Sequence, residues 1–120
     1  MTNEIDKFPN VLYKGQKFLL VQTSEFEKFF TSLKDGKARA KINDRLFRAA
    51  DGNFGDVKSA SGMSEMRIDY GPGYRVYFWQ RGNEVVILLC GGDKRTQNRD
   101  IAFAKRLKGE IDRGSGTSPF

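Results

Sequence analysis

The spacing of apolar residues changes twice along the chain, and this restricts the fold more than any other feature. Between residues 24 and 50 apolar side chains recur every three or four positions, as in a helix with one buried face. Between residues 56 and 90 they alternate or run together, which is typical of strands, and helical spacing returns over residues 96–111. The sequence therefore predicts an α+β fold with two helices, a block of strands and a last helix.

Turn residues divide these segments into predicted elements. Ser24 and Glu27 have the spacing of a capping box, which predicts that the first helix begins at Ser24. The helices are predicted over residues 24–33, 37–50 and 96–111. Strands are predicted over residues 18–22, 56–60, 63–70, 74–80 and 84–90, and residues 10–13 are compatible with one more. Short turns between the last four strands predict an antiparallel meander.

Together these elements predict one domain. An N-terminal strand and a helical hairpin pack on one face of a four-to-five-stranded, mostly antiparallel sheet, and a C-terminal helix completes that layer. A length of 120 residues suits a single domain. Residues 18–112 are predicted to form it, with residues 1–17 as an N-terminal extension and residues 113–120 as a flexible tail.

Composition restricts the partners and the chemistry. There are 21 Lys and Arg residues against 15 Asp and Glu, and a net charge of +6 favours polyanionic partners. The chain has no His and one Cys, so the sequence predicts no metal site and no cofactor. The single Cys and the lack of an apolar segment in residues 1–17 predict a cytoplasmic protein without membrane association.

Strand alternation separates an inner set of side chains from an outer set. Those predicted to face the helices are Val57, Met66, Ile68, Val76 and Phe78. Those predicted to face outward together are Lys58, Glu65, Arg67, Arg75, Tyr77 and Trp79. This outer face is either a solvated sheet surface with cross-strand ion pairs, or a basic surface with aromatic side chains that binds single-stranded RNA.

Other candidate features point less clearly to a function. The second helix is basic; its arginines, including Arg39 and Arg45, lie by default on a solvated face but could contact RNA. The segment Gly91-Gly92-Asp93-Lys94 lacks the spacing of a phosphate-binding loop. Cys90 ends a buried apolar run, which is typical of a core residue.

Several longer strings resemble a known family. They are Ala38-Arg39-Ala40-Lys41-Ile42, Gly52-Asn53-Phe54-Gly55-Asp56-Val57-Lys58, Tyr70-Gly71-Pro72-Gly73-Tyr74-Arg75-Val76-Tyr77-Phe78 and Gly91-Gly92-Asp93-Lys94-Arg95-Thr96-Gln97. Over residues 18–107 the sequence resembles the addiction-module killer (RelE/HigB-like) branch of the RelE/ParE toxin superfamily. The resemblance implies a RelE-like fold and a toxin of a type II toxin-antitoxin module. It also implies a cognate antitoxin, in this branch a small helix-turn-helix protein from the adjacent gene, through which the complex binds operator DNA.

The resemblance implies two different activities. RelE-like members cleave mRNA in the ribosomal A site, whereas ParE-like members act on DNA gyrase with the same fold. For cleavage, the resemblance implies roles for Arg67 and Arg75, for Lys58, and for Lys94 or Arg95. The C-terminal His or Tyr that several relatives use as general acid has no match in this sequence. A non-catalytic RNA-binding or regulatory module is a further alternative.

RNA cleavage by attack of the 2′-OH on its own phosphate requires three kinds of group. It needs a base, cations at the phosphorane oxygens and an acid for the 5′ oxygen. Without His, Glu65 and Asp56 are the candidate bases, and Lys94 and Tyr77 are the candidate acids. The predicted catalytic residues are Lys58, Glu65, Arg67, Arg75, Tyr77, Lys94 and Asp56, and the predicted RNA-binding residues are Trp79, Arg95, Arg39 and Arg45.

Overall fold

Six strands form one mixed sheet, and three α-helices pack on it. The computed structural model describes residues 10–114. The strands are β1 (Val11–Lys14), β2 (Leu19–Gln22), β3 (Val57–Ala60), β4 (Met63–Ile68), β5 (Tyr74–Arg81) and β6 (Val85–Asp93). The helices are α1 (Ser24–Ser32), α2 (Gly36–Ala50) and α3 (Gln97–Arg113), with a 3₁₀ turn over Lys94–Thr96. The predicted α+β class, the hairpin helices and the C-terminal helix are confirmed.

The strand order is β1-β2-β6-β5-β4-β3. Strands β3 to β6 form the predicted antiparallel meander, whereas β2 pairs in parallel with β6. The sheet has one strand more than the four to five expected, because β1 pairs with β2 in an antiparallel hairpin. This strand lies inside the predicted extension; it has only four residues, too few for a periodic signal. Residues 1–9 of the extension and 115–120 of the tail lie outside the described residues.

Two apolar clusters cover the two faces of the sheet. One joins α1 and α2 to side chains that include Met66, Ile68, Val76 and Phe78. The other joins Ala104 and Leu107 of α3 to the opposite face of the sheet. The expectation that all helices share one face was therefore wrong for α3. The reason is β6, whose residues Val85–Cys90 are buried on both faces, so both faces need a helical cover.

A bulge in the pairing of β5 with β6 strengthens this second layer. Tyr77 pairs with Cys90, but Phe78 pairs with Leu88, so Leu89 is an extra residue in β6. Leu89 and Cys90 consequently both join the cluster on the α3 face. These two side chains extend the apolar surface on which α3 packs.

Local details differ from the sequence-based expectations in a few places. The cap of α1 is Thr23 rather than Ser24: its hydroxyl accepts from the Phe26 N–H at 3.1 Å and donates to the Leu89 carbonyl at 2.6 Å. Val57 was expected to face the helices in the core, but it is 39% exposed because β3 is an edge strand. The predicted inward orientation is confirmed for Met66, Ile68, Val76 and Phe78.

The last strand continues through Gly91 and Gly92, which were expected to end it. A Cβ atom at Gly91 would collide with the ring of Phe29 on α1. A Cβ atom at Gly92 would collide with the side chains of Thr96 and Asp100. The two glycines therefore let the segment from Lys94 onward and α1 approach the end of β6 closely.

Candidate functional site

Strand register brings the polar residues of the α3 face into two rows. In the first row Lys58 lies opposite Glu65, and Glu65 lies opposite Tyr77. In the second row Arg67 lies opposite Arg75, which lies opposite Gly92. Asp56 joins the second row, since its carbonyl accepts from the Arg67 N–H at 2.9 Å. Six predicted site residues therefore share one region of the sheet.

The first row opens into a small cleft between the sheet and the start of α3. The cleft has a volume of about 180 Å³. It is lined by Lys58, Ser59, Ala60, Ser61, Glu65, Gln97 and Ile101. It thus combines a cation, a carboxylate and an amide with hydroxyl groups and one apolar wall. A larger cleft of about 720 Å³ lies between α1 and α3, and none of the predicted site residues lines it.

Glu65 is much less accessible than a residue on an open outer face of the sheet. Its relative exposure is 1%, and its Oε1 accepts from Nε2 of Gln97 at 2.6 Å. Alternation correctly assigned Glu65 to the outer face, but α3 covers this part of that face. The carboxylate is therefore a fixed group at the base of the cleft.

Tyr77 is also buried beneath α3, contrary to the expected open surface. Its side chain is fully buried, and its hydroxyl makes no hydrogen bond of ordinary geometry with any described residue. Burial raises the pKa of Tyr77, and the neighbouring Glu65 carboxylate raises it further. Tyr77 therefore keeps its proton at neutral pH. Its side chain packs beside Glu65 and has no contact with solvent.

The second row is rich in positive charge. Arg67 donates to Oδ1 of Asp56 from Nη2 at 2.7 Å and from Nε at 3.2 Å. This hydrogen-bonded pair holds the pKa of Asp56 below its ordinary value. Asp56 is consequently an ionised partner of Arg67 and a weak base, which leaves Glu65 as the better of the two base candidates.

Three cations around these rows form no ion pair with any residue between 10 and 114. They are Lys58, Arg75 and Lys94. Arg75 is half-buried, and its Nε is buried without a hydrogen-bond partner in the same part of the chain. Lys58 and Lys94 are exposed. This group has the charge and the unused donors that a phosphate requires.

The segment before α3 is held rigidly next to these cations. The side chain of Asp93 accepts from the Arg95 N–H at 2.8 Å, and its carboxylate pairs with the Arg95 guanidinium at 2.8 Å. This pairing holds the pKa of Asp93 below its ordinary value. Arg95 is thus engaged at the edge of the site, whereas Lys94 projects its amine into solvent beside it.

The other predicted RNA-binding residues are not free to contact RNA in the expected way. Trp79 is half-buried, and its ring has Lys108 Nζ at 4.4 Å and Arg81 at 5.6 Å from the centroid. A base that stacks on this ring would compete with these two cations. Trp79 therefore packs partly against the apolar cluster beneath α3 and is only partly available at the surface.

Arg39 and Arg45 on α2 are bound to backbone carbonyls. Arg45 donates to the carbonyls of Arg67 at 2.6 Å, Phe54 at 3.0 Å and Asp56 at 3.2 Å. Arg39 donates to the carbonyl of Leu33. Because α2 packs on the other face, neither guanidinium joins the two rows. Arg45 instead fixes the backbone of the strand that carries Arg67.

Gln97 is the site residue that the sequence analysis missed. It is the first residue of α3 and touches both Glu65 and the cleft. A signal was present: Gln97 precedes Ile101 and Ala104 at helical spacing, so a polar residue begins the apolar face of the helix. A polar side chain aimed at a sheet needs a polar partner there.

The described residues also limit other kinds of site. None of the helices within residues 10–114 is long and apolar enough to cross a membrane. Within the same residues, no three Cys, Asp or Glu side chains are grouped as metal ligands would be.

Comparison with known proteins places the chain beside a bacterial relative. No protein-family model matches it. A protein of Haemophilus influenzae, described as an uncharacterized protein, is 51% identical over 90 residues, which are 74% of this chain and 91% of the relative. This identity over nearly the whole relative shows common descent, and the chain belongs to the same family as the Haemophilus influenzae protein.

Proposed function

We propose that the protein is the toxin of a type II toxin-antitoxin module, an endoribonuclease that cleaves mRNA on the ribosome and so inhibits translation. The observation that carries the proposal is the convergence of Arg75, Arg67 and Lys58 around the buried carboxylate of Glu65. The resemblance of the sequence to RelE/HigB-like toxins supports it, and with it we propose that the α+β fold is RelE-like. A cytoplasmic site of action follows from the substrate.

The proposed chemistry is attack of the 2′-OH on the adjacent phosphorus. Glu65 accepts the 2′-OH proton, the O2′–P bond forms and the P–O5′ bond breaks. The products are a 2′,3′-cyclic phosphate and a 5′-OH. Arg67 and Arg75 stabilise the negative charge of the phosphorane, with Lys58 at the opposite side of the cleft. Lys94, exposed beside Arg95, is the candidate donor of the proton to O5′.

A requirement for the ribosome is consistent with the small number of proton-transferring groups at this site. The chain has no His to exchange protons near neutral pH. Holding the RNA in line for attack can contribute about 7–11 kcal/mol, which a ribosome-bound mRNA would receive from the decoding centre. Free RNA would be cut slowly.

The proposal includes a neutralising partner. A protein that cleaves the messages of its own host needs an antitoxin, and we propose a small helix-turn-helix protein from the adjacent gene. Operator DNA would then be bound through the antitoxin. Co-purification of the two products from the native operon tests this part, and an isolated gene whose product is tolerated alone would count against it.

The nuclease proposal is tested by induction in bacteria followed by mapping of mRNA 5′ ends. Parent protein should produce cuts in phase with codons within translated messages. The Arg75→Ala variant should not, whereas Arg48→Ala, which removes an exposed arginine from the other face, should behave as the parent. A DNA-damage response with intact messages would indicate action on DNA gyrase instead. Absence of both toxicity and cleavage would indicate a non-catalytic RNA-binding module.

A further inference from the structure

Gln97 and Glu65 form a close contact between the sheet and the first turn of α3. The Gln97 amide donates to Glu65 Oε1 at 2.6 Å, and Glu65 is 1% exposed. Both side chains line the cleft of about 180 Å³. A half-buried amide thus holds one oxygen of the carboxylate that the proposed mechanism uses as base.

The surroundings of Gln97 fix its position independently of this bond. Asp93 caps the turn that precedes it, and the backbone N–H of Asp93 donates to Oγ1 of Thr96 at 3.4 Å. One turn further on, Asp100 is buried and bound by the Thr96 hydroxyl, and it packs against Gly92 where a larger residue would not fit. The start of α3 is therefore held closely against the end of β6.

We propose that Gln97 is a positioning residue for Glu65, an inference that rests on the proposed nuclease function. Its N–H donor holds Oε1 and so fixes the rotamer of Glu65. With Oε1 occupied by Gln97, the proton of the 2′-OH goes to the other carboxylate oxygen. Gln97 itself transfers no proton and contacts no reacting atom.

The charged and titratable groups around this pair come from every neighbouring element. Lys58 faces Glu65 from β3, Arg67 lies two residues along β4, and Tyr77 faces it from β5. Asp100 approaches Tyr77 from α3.

A double-mutant cycle on programmed ribosomes tests the inference. Gln97→Ala should lower the single-turnover cleavage rate by about 10- to 100-fold, because a misplaced carboxylate no longer lies within hydrogen-bond reach of the 2′-OH. The ribosome concentration that gives half-maximal rate should not change. In a Glu65→Gln background, the same Gln97→Ala change should alter the residual rate by less than about threefold, since no base is left to position. Asn98→Ala, an exposed neighbour on the same turn, is the control.

A second variant distinguishes a positioning role of Gln97 from a simple loss of folding. Gln97→Glu keeps the size of the side chain but replaces the donor by a second carboxylate. At neutral pH its rate should be lower than that of Gln97→Ala, because two adjacent carboxylates repel each other. As the pH falls and the pair takes up one proton, a donor is restored and the rate should recover relative to the parent.

The outcomes separate the two proposals. A parent protein that does not cleave mRNA on ribosomes overturns the nuclease function and this inference with it. A parent that cleaves, with Gln97→Ala and Glu65→Gln effects that multiply, overturns only the positioning role. A changed half-saturating concentration or a changed sequence preference in Gln97→Ala would also overturn it, because Gln97 would then contact the RNA.

Discussion

Arg67 and Arg75 lie directly opposite each other on the antiparallel strands β4 and β5. Like charges in this arrangement destabilise a sheet. Asp56 compensates Arg67, but no described residue forms an ion pair with Arg75, whose other cross-strand neighbour is Gly92. The pair is therefore costly for the folded protein alone, and an anionic ligand between the two guanidinium groups would remove the cost.

Replacing Arg75 by Ala should abolish cleavage and leave the protein folded. Loss of a cation at the phosphorane costs roughly two to three powers of ten in rate. The free energy of unfolding should change by less than about 0.5 kcal/mol, because a repulsive neighbour of Arg67 is removed. Single-turnover cleavage and urea unfolding measure the two effects, with Arg48→Ala as the matched control. A folded Arg75→Ala protein with full activity would exclude Arg75 from the site.

Replacing Arg45 by Ala should lower stability rather than RNA affinity. The change removes donors from three backbone carbonyls, and leaving the half-buried carbonyls of Arg67 and Phe54 without that donor costs about 1–3 kcal/mol. Arg48→Ala, on the same helix but exposed, should change stability by less than about 0.5 kcal/mol. Urea unfolding of both variants provides the comparison. Unchanged stability together with weaker RNA binding would restore the original prediction that Arg45 contacts RNA.

Stability should fall in acid, in part through Asp56. The pKa of Asp56 is lowered in the folded protein by its hydrogen bonds from Arg67, whereas in the unfolded chain it is near the usual value of about 3.9. The contribution is therefore fully present above about pH 4 and is lost as the pH falls through the lower folded value. Urea midpoints between pH 7 and pH 2.5 should show the parent and Asp56→Asn converging at the acid end. A constant difference across this range would contradict the pairing.

Cleavage should not titrate near the ordinary His pKa of about 6.5, because the chain contains no His. The single-turnover rate should therefore be flat through neutral pH. Glu65→Gln, measured beside the parent, should lower the rate at every pH. A bell-shaped profile centred near 6.5, or an unaffected Glu65→Gln rate, would show that the proton transfers belong to other residues.

Alternation along β4 and β5 was sufficient to predict which side chains share a face. It separated Met66 and Val76 from Glu65 and Tyr77 correctly. It could not predict that Glu65 and Tyr77 are buried, because face assignment depends on local geometry and burial depends on what packs there. The covering helix begins twenty residues after Tyr77, at Gln97.

The same limit explains why the arginines were harder to assign than the strands. The sequence shows Arg45 and Arg75 as two basic residues in basic surroundings. Only the tertiary structure shows that Arg45 donates to carbonyls of a distant loop and strand. It also shows that Nε of Arg75 is buried with no partner among the described residues. Charge composition predicts that a polyanion binds, but it does not distinguish the cations that bind it from those that hold the fold.

The parallel pairing of β2 with β6 has a consequence for the newly made chain. The β1–β2 hairpin emerges from the ribosome first, yet its sheet neighbour β6 is separated from it by two helices and three strands. Until residues 85–93 have been synthesised, two sheet fragments with open edges cannot join. The cleft closes later still, when Gln97 reaches Glu65. Chains cut short before that point lack the contact between Gln97 and Glu65, so the cleft is complete only once the first turn of α3 has been synthesised.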